Sequence, residues 1–510
     1  MLRKQSWLAT WLAALVLGGT PVAASDTKDT LNLASAWEIT SVDPAISGFA
    51  LQRLQIQENL VDADSEGTLR PGLATEWSTS DDGLTWRFTL REGVSFHDGT
   101  PFDAAAAVSA LQRAAAQPGI LENAPLGDIA ADGNAVMITL AKPFAALPSL
   151  LAHATTIIPA PASFDADGNP TEAIGTGPFK VGELKLPLGI DLVRFDDYWG
   201  ETPSIAKVNY LAAGRAETRA LLAESGEADL VFGFDPAGFS RLQSIDNVET
   251  RAVPIPRAVM LKVNVGHPFF AAPEARQALS LAIDRDGIAA GITRFPEAAA
   301  TQLFPPALGG WHDTSLTPLA YDPEKAKELL AGLGWMEGED GILVKDGERF
   351  AIQLRTFPDR PELPLMATAL QDQWRAIGIE LDVSVANYSE IPAGHQDGSL
   401  EVALYARNYG LTPDPIGTIL NDFGTGGGDW GAMNWDTPDV SEALETIAET
   451  ADEAVRKPLI AEATAAIHNG LPLIPITWYM HTVSIAEGLD GVIVDPRQRT
   501  YGLERISWAE

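Results

Sequence analysis

The sequence predicts a protein of the α/β and α+β classes, built from two or three domains. Three observations lead there. The chain has 510 residues, more than one hydrophobic core organises. Helical and strand patterns alternate through most of its second half, as in an α/β sheet domain. Its first part is richer in strands, which suits an α+β arrangement.

The elements follow in order. "MLRK" is a positive start, and "SWLATWLAALVLGG" is an apolar run of signal-peptide length. Small residues at Val22 and Ala24 suit cleavage before Ser25. The run is shorter than the ~20 apolar residues of a membrane span, so residues 1–24 are expected to be a cleaved signal peptide and the mature protein to be exported. "TLNLASAW" (30–37) reads as a strand. In "GLTWRFTLREGVSF" (83–96), Trp86, Phe88 and Leu90 share one face of a strand that ends at the turn "HDGTP". "FDAAAAVSALQRAAA" (102–116) is a helix, with Asp103 placed to serve its free N–H groups. "NAVMITLAKP" (134–143) is another strand, and 217–233 reads as helix, turn at Gly226, then strand.

Residues 273–292 predict one continuous helix, with Ala275, Leu279, Ala282 and Ile283 at the helical period. Residues 322–335 give a second helix with Pro323 in its first turn. Residues 364–387 give a third, which ends at Gly378 and leads into a strand, and 437–470 gives two more. "LYARNYGLTPDP" (404–415) is a short strand that runs into a turn, with Arg407, Asn408 and Tyr409 at its end and no acid before Asp414.

Hydrophobic content of 46% and charged content of 20% are ordinary for a globular chain. The absence of cysteine excludes disulfides, thiolate metal sites, cysteine nucleophiles and a lipidated cysteine. A formal net charge of -34 argues against nucleic acid as a partner. Such a field favours cationic ligands or simply keeps the protein soluble. The seven histidines (His97, His153, His267, His312, His395, His468 and His481) are isolated, with no metal-site spacing, so no metal and no cofactor is expected. "GGGDWG" (426–431) fits G-x-G-x-x-G but has no βαβ context and reads as a loop. No G-x-S-x-G elbow occurs.

The segment "LRPGLATEWSTSDDGLTWRFTLREGVSFHDGTPFDA" (69–104) resembles the signature of the solute-binding proteins of peptide and nickel ABC importers. "IGTGPFKV", "DDYWGETPSIAKV", "EARQALSLAIDRDGI", "YDPEKAKELLAGLGW", "LQDQWRAIGIELDV" and "LPLIPITWY" are similar to further segments of that family, in the same order. The resemblance implies a type II periplasmic binding protein clamshell. Lobe I would comprise 25–45, 174–264 and 481–510, an extra domain would occupy 46–173, and lobe II would run from 265 to 480. It implies a monomeric, non-catalytic periplasmic receptor that closes on a small solute and hands it to the permease subunits of an ABC importer.

Peptide binders of this family carry an Asp that pairs with the peptide's amino terminus; in alignment it falls at Leu411. The pattern Tyr409-Gly410-Leu411, with Ala106 in the signature helix, is more similar to the nickel and metal-chelate branch. The histidine and the arginine that members of that branch use as ligands are missing, with His153 the nearest polar substitute. The solute is therefore expected to be a metal-chelate or nickel, with a peptide as the alternative. A secreted two-carboxylate hydrolase is the remote one.

The candidate binding residues are Phe49, Gln52, Arg53, His153, Arg257, Arg407, Asn408, Tyr409, Thr412 and Trp430. Arg407 offers a fork for a carboxylate, or pairs with an acid of its own lobe and holds the loop. Tyr409 offers an aromatic wall. Phe49, Gln52 and Arg53 line the cleft or pack. Arg257 lies just before the inferred hinge. Trp430 is a lid or loop packing.

Overall fold

The computed structural model describes residues 28–509; the expected signal segment 1–24 lies outside them. No helix among the described residues is long and apolar enough to cross a membrane.

A mixed ten-stranded sheet organises the molecule. In chain order its strands are β1 (Thr30–Ser35), β2 (Phe179–Lys185), β3 (Gly189–Arg194), β4 (Lys207–Ala212), β5 (Leu230–Phe232), β6 (Val248–Val263), β7 (Ala351–Thr356), β8 (Glu380–Val385), β9 (Val402–Asn408) and β10 (Leu473–Ala486). In space they run β8-β7-β9-β6-β10-β5-β1-β4-β3-β2. The two long strands, β6 and β10, lie side by side in the middle. The early part of β6 pairs with the end of β10, and its later part pairs with both β9 and the start of β10. The ladder is irregular between Pro254 and Ala258, opposite Trp478 to Met480. Pro254 and Pro256 have no N–H to donate, which weakens the pairing there.

A separate antiparallel sheet of four strands, Ala74–Thr79, Thr85–Leu90, Ala135–Leu140 and Leu126–Ala131 in spatial order, lies within the earlier part of the chain. The expected strand over 83–96 is regular only over Thr85–Leu90. Its alternation is as read: Trp86, Phe88 and Leu90 are buried. The helix Ala104–Ala115 starts at Asp103, whose carboxylate accepts from the Ala106 N–H at 2.9 Å.

The helix expected over 273–292 is instead broken. It runs over Pro273–Leu281, and a short second helix, Arg285–Ile288, follows. Asp284 caps the new start, accepting from the Gly287 N–H at 2.8 Å. The buried Arg285 donates to Ser280 O (3.0 Å) and to Pro475 O on β10 (2.8 Å). A capping carboxylate followed by an inward guanidinium therefore overrides the apolar period, and the break ties this region to the central strand.

Helix α1 (Pro44–Arg53) positions much of the candidate site. Asp43 caps it through the Ala45 N–H (3.0 Å) and Pro44 occupies its first turn. It lies so close to the segment 153–156 that a Cβ on Gly48 would sit 2.3 Å from Ala154 O. Only glycine permits that approach.

Candidate functional site

A cavity of about 320 Å³ opens between α1, the segment 152–154, Tyr210 and the loop 497–501 on one side, and Arg257, Asn408, Gly410 and Leu411 on the other. A wider recess of about 540 Å³ adjoins it, sharing Trp37, Asn408 and Leu411 and adding Phe357, Arg360, Tyr388 and Trp430.

The cavity is cationic although the chain is strongly acidic. Arg53, Arg257, Arg497 and Arg499 line it, against the one carboxylate of Glu38. Arg257 makes no ion pair or side-chain hydrogen bond among the described residues. Its guanidinium lies 5.4 Å from the ring centre of Tyr479, and Arg360 lies over the same ring at 5.4 Å. Burial, with the like charges of Arg360 and Arg53, pushes the Arg257 pKa down to about 10, so the group stays charged at neutral pH. Such a guanidinium gains when an anion enters. Arg53 donates to Gln498 O and faces the rings of Phe49 (5.7 Å) and Trp37 (5.9 Å). Trp37 is 53% exposed and Phe49 41%, so both rings remain accessible at the mouth.

Arg497 is tied to the carbonyls of Glu66, Ala307 and Thr412. Arg499 pairs with Asp62 (2.7 Å) and donates to Ala63 O and Ala152 O. Each keeps a buried Nε without a partner among the described residues, a donor left over in the cavity wall. An arginine from the far end of the chain thus reaches Ala152. His153 Nδ1 accepts from the Thr155 N–H (3.1 Å), which leaves the ring proton on Nε2. Burial, then the charge of Arg499, push the His153 pKa to about 4, so the ring is neutral.

Of the predicted residues, the structure brings Phe49, Gln52, Arg53, His153, Arg257 and Asn408 to one cavity. Gln52 is largely occupied, donating to Asn59 Oδ1 (2.6 Å) and Ala152 O (3.0 Å). Trp430 borders the outer recess and packs on Tyr405 at 5.4 Å. Three expectations need correction. Arg407 is not a free fork: its Nε and Nη2 hold the fully buried Asp422 at 2.8 and 2.6 Å, the loop-holding role. Tyr409 is not a wall: its ring is 0% exposed and packs edge-on against Phe304 at 5.2 Å. Thr412 is buried, donates to Asp414 O (2.7 Å), and offers only its carbonyl, to Arg497.

Strand register explains the split. Arg257 pairs with Asn408 and Ala258 with Arg407, so Arg257 and Asn408 share one face of the sheet, while Arg407 is turned to Asp422 and borders only the outer recess. After Asn408 the loop is pressed against Pro256, where a Cβ on Gly410 would lie 2.0 Å from the Pro256 ring. Leu411 then reaches the cavity. The loop's own carboxylate, Asp414, pairs with Arg456 instead.

Sequence reading missed Trp37, Arg360, Arg497, Arg499 and Tyr479. The signal available was "DPRQRTYG" (495–502), two arginines close together in a chain with 35 basic and 69 acidic residues.

Residues 68–430 match the family described as bacterial extracellular solute-binding proteins, family 5 Middle. The chain is 28% identical over 451 residues to the nickel-binding periplasmic protein of Escherichia coli (strain K12), covering 83% of each. It is 30% identical over 341 residues to the glutathione-binding protein GsiB of Salmonella paratyphi A, covering 64% of this chain and 66% of that protein. The crystal structure of NikA from Brucella suis in complex with Fe(III)-EDTA superposes with a TM-score of 0.83 at 25% identity, over 94% of this chain and 99% of that one.

Proposed function

The chain belongs to the bacterial extracellular solute-binding proteins, family 5, and we propose that it is a periplasmic receptor for a small anionic solute, a metal-chelate or another carboxylate-bearing molecule, which it delivers to the permease of an ABC importer. The observation that carries this reading is the unpaired Arg257, set in a cavity with Arg53, Arg497 and Arg499. Buried guanidinium groups repel a bare metal cation and suit a carboxylate, so a metal would enter wrapped in its chelator. Of the ligands named for the relatives, nickel, glutathione and Fe(III)-EDTA, the last two are compatible with that chemistry as they stand and nickel is so as a chelate.

The lobes would turn about the irregular stretch of β6 and β10, where Arg257 lies, a few residues before the 264/265 boundary inferred from the sequence. Closure stabilised only by contacts to both sides needs about 5.5 kcal/mol of preference to move a 1% closed population to 99%. Arg257 and Asn408 against α1 and the 497–501 loop provide such two-sided contact. A peptide binder is disfavoured because Leu411 cannot accept from an ammonium and Asp414 is engaged by Arg456.

A titration series tests this. Tricarboxylates, metal–EDTA complexes, glutathione and free dipeptides are offered to the purified protein by calorimetry, with scattering to follow the radius of gyration. An anionic member should bind and contract the molecule. Arg257→Ala should weaken it tenfold or more, the worth of one charged hydrogen bond of about 1.5–3 kcal/mol. Micromolar binding of a dipeptide with no anionic binder would sink the proposal.

A further inference from the structure

Beside the arginine cavity lies a second one, of about 340 Å³, and its chemistry is opposite. The two share Gln52 and Arg499 in their walls. The second is bounded by the segment 55–65, by Tyr198 and Trp199, and by the chain from 493 to 505.

Two acceptors in its wall are left over. Gln57 is 1% exposed; its Nε2 donates to Ile174 O (3.2 Å), which fixes the amide orientation and leaves Oε1 with no partner among the described residues. Glu504 receives Arg505 on Oε1 (3.2 Å), while its Oε2 is buried and has no partner among the described residues. Buried acceptors without donors are costly, and two that belong to residues lining one cavity call for a ligand that brings N–H groups. The surrounding charge agrees, since Asp62, Asp64 and Asp495 also line the cavity. Glu58 is enclosed by donors from Thr176 (2.7 Å), Tyr198 (3.0 Å) and Trp199 (2.9 Å). The cationic groups lining the cavity are already committed, Arg499 to Asp62 and Arg505 to Glu504. The rings of Tyr198 and Trp199, 5.1 Å apart, add an aromatic wall for an alkyl chain, with Arg91 already lying over Trp199 at 4.0 Å.

We infer that this second cavity is a binding site for a primary alkylammonium, which donates to Gln57 Oε1 and Glu504 Oε2 while its methylenes pack on Tyr198 and Trp199. It is separate from the anion cavity and does not depend on the solute assigned there.

The test uses the intact protein and n-butylammonium as probe, followed by calorimetry and tryptophan fluorescence. n-Butanol, which lacks the charge, should not bind. Tetramethylammonium, which lacks N–H donors, should bind at least tenfold more weakly. Glu504→Gln and Gln57→Leu should each weaken n-butylammonium at least tenfold, and Trp199→Phe should remove the fluorescence change. Arg257→Ala should leave its affinity unchanged. Circular dichroism establishes that each variant is folded, and the half-buried position of Glu504 makes that variant the safeguard should Gln57→Leu unfold. The inference is overturned if n-butylammonium shows no saturable binding at millimolar concentration, if tetramethylammonium binds as well, or if Arg257→Ala abolishes binding that Glu504→Gln leaves intact. Anion binding is read in its own titration, so either site can fail alone.

Discussion

Arg257 and Arg407 stand on paired strands within one register step of each other and do opposite jobs. Arg407 is held in a two-bond fork by a carboxylate with no exposure. Removing it strands the Asp422 charge inside the protein, so Arg407→Ala should cost about 3–5 kcal/mol of stability, the scale of breaking one side of a buried ion pair. Urea unfolding measures this; a loss under 1 kcal/mol would show the pair to be dispensable. Arg257→Ala removes a group without a partner and should change stability by less than ~1 kcal/mol while lowering anion affinity. The contrast between the two variants separates holding the loop from holding the solute. Leu411→Asp should weaken the anion further, since a carboxylate would then face the guanidinium cluster.

Among the elements, α1 is the most exacting. It carries Phe49, Gln52 and Arg53 on one rigid unit and is seated against 153–156 through the missing side chain of Gly48. Gly48→Ala places a methyl against a backbone carbonyl, which has no rotamer to yield. The helix must shift, and both the unfolding midpoint and solute affinity should fall, by a few degrees and several-fold. A fall in the midpoint with affinity unchanged would mean that α1 does not set the cavity wall. The broken helix at 282–284 shows the same principle elsewhere: Arg285 reaches β10 only because the chain restarts at Asp284.

Across the whole molecule, buried histidines set the response to pH. Burial pushes His97 and His153 to about 4 and His481 to about 3 from an unfolded value of 6.5. Below pH 6.5 the unfolded chain takes up protons that these rings refuse, so their contribution is lost as pH falls from 6.5 toward 3–4. Glu58 acts in the other direction. Burial raises it from 4.5 to about 7, so its contribution is lost as pH rises from 4.5 to 7. One pH unit of separation between folded and unfolded pKa is worth about 1.4 kcal/mol, and three histidines outweigh one glutamate. The urea midpoint should therefore drop on going from pH 6.5 to pH 4. A midpoint that rose over that interval would make Glu58 the dominant group.

The amino-acid sequence by itself determined the class of the fold, the family, and most helices and strands. Those follow from local periodicity, caps such as Asp103 and ordered segments that survive divergence. It also pointed to Phe49, Gln52, Arg53, His153, Arg257 and Asn408, which the fold gathers at one cavity. Only the tertiary structure decided that Arg407 belongs to Asp422, that Tyr409 is sealed under Phe304, and that Arg499 comes from the far end of the chain to stand beside Ala152. The physical reason is that a side chain's partner is fixed by strand register and by contacts between distant segments. A string of neighbouring residues carries no record of either.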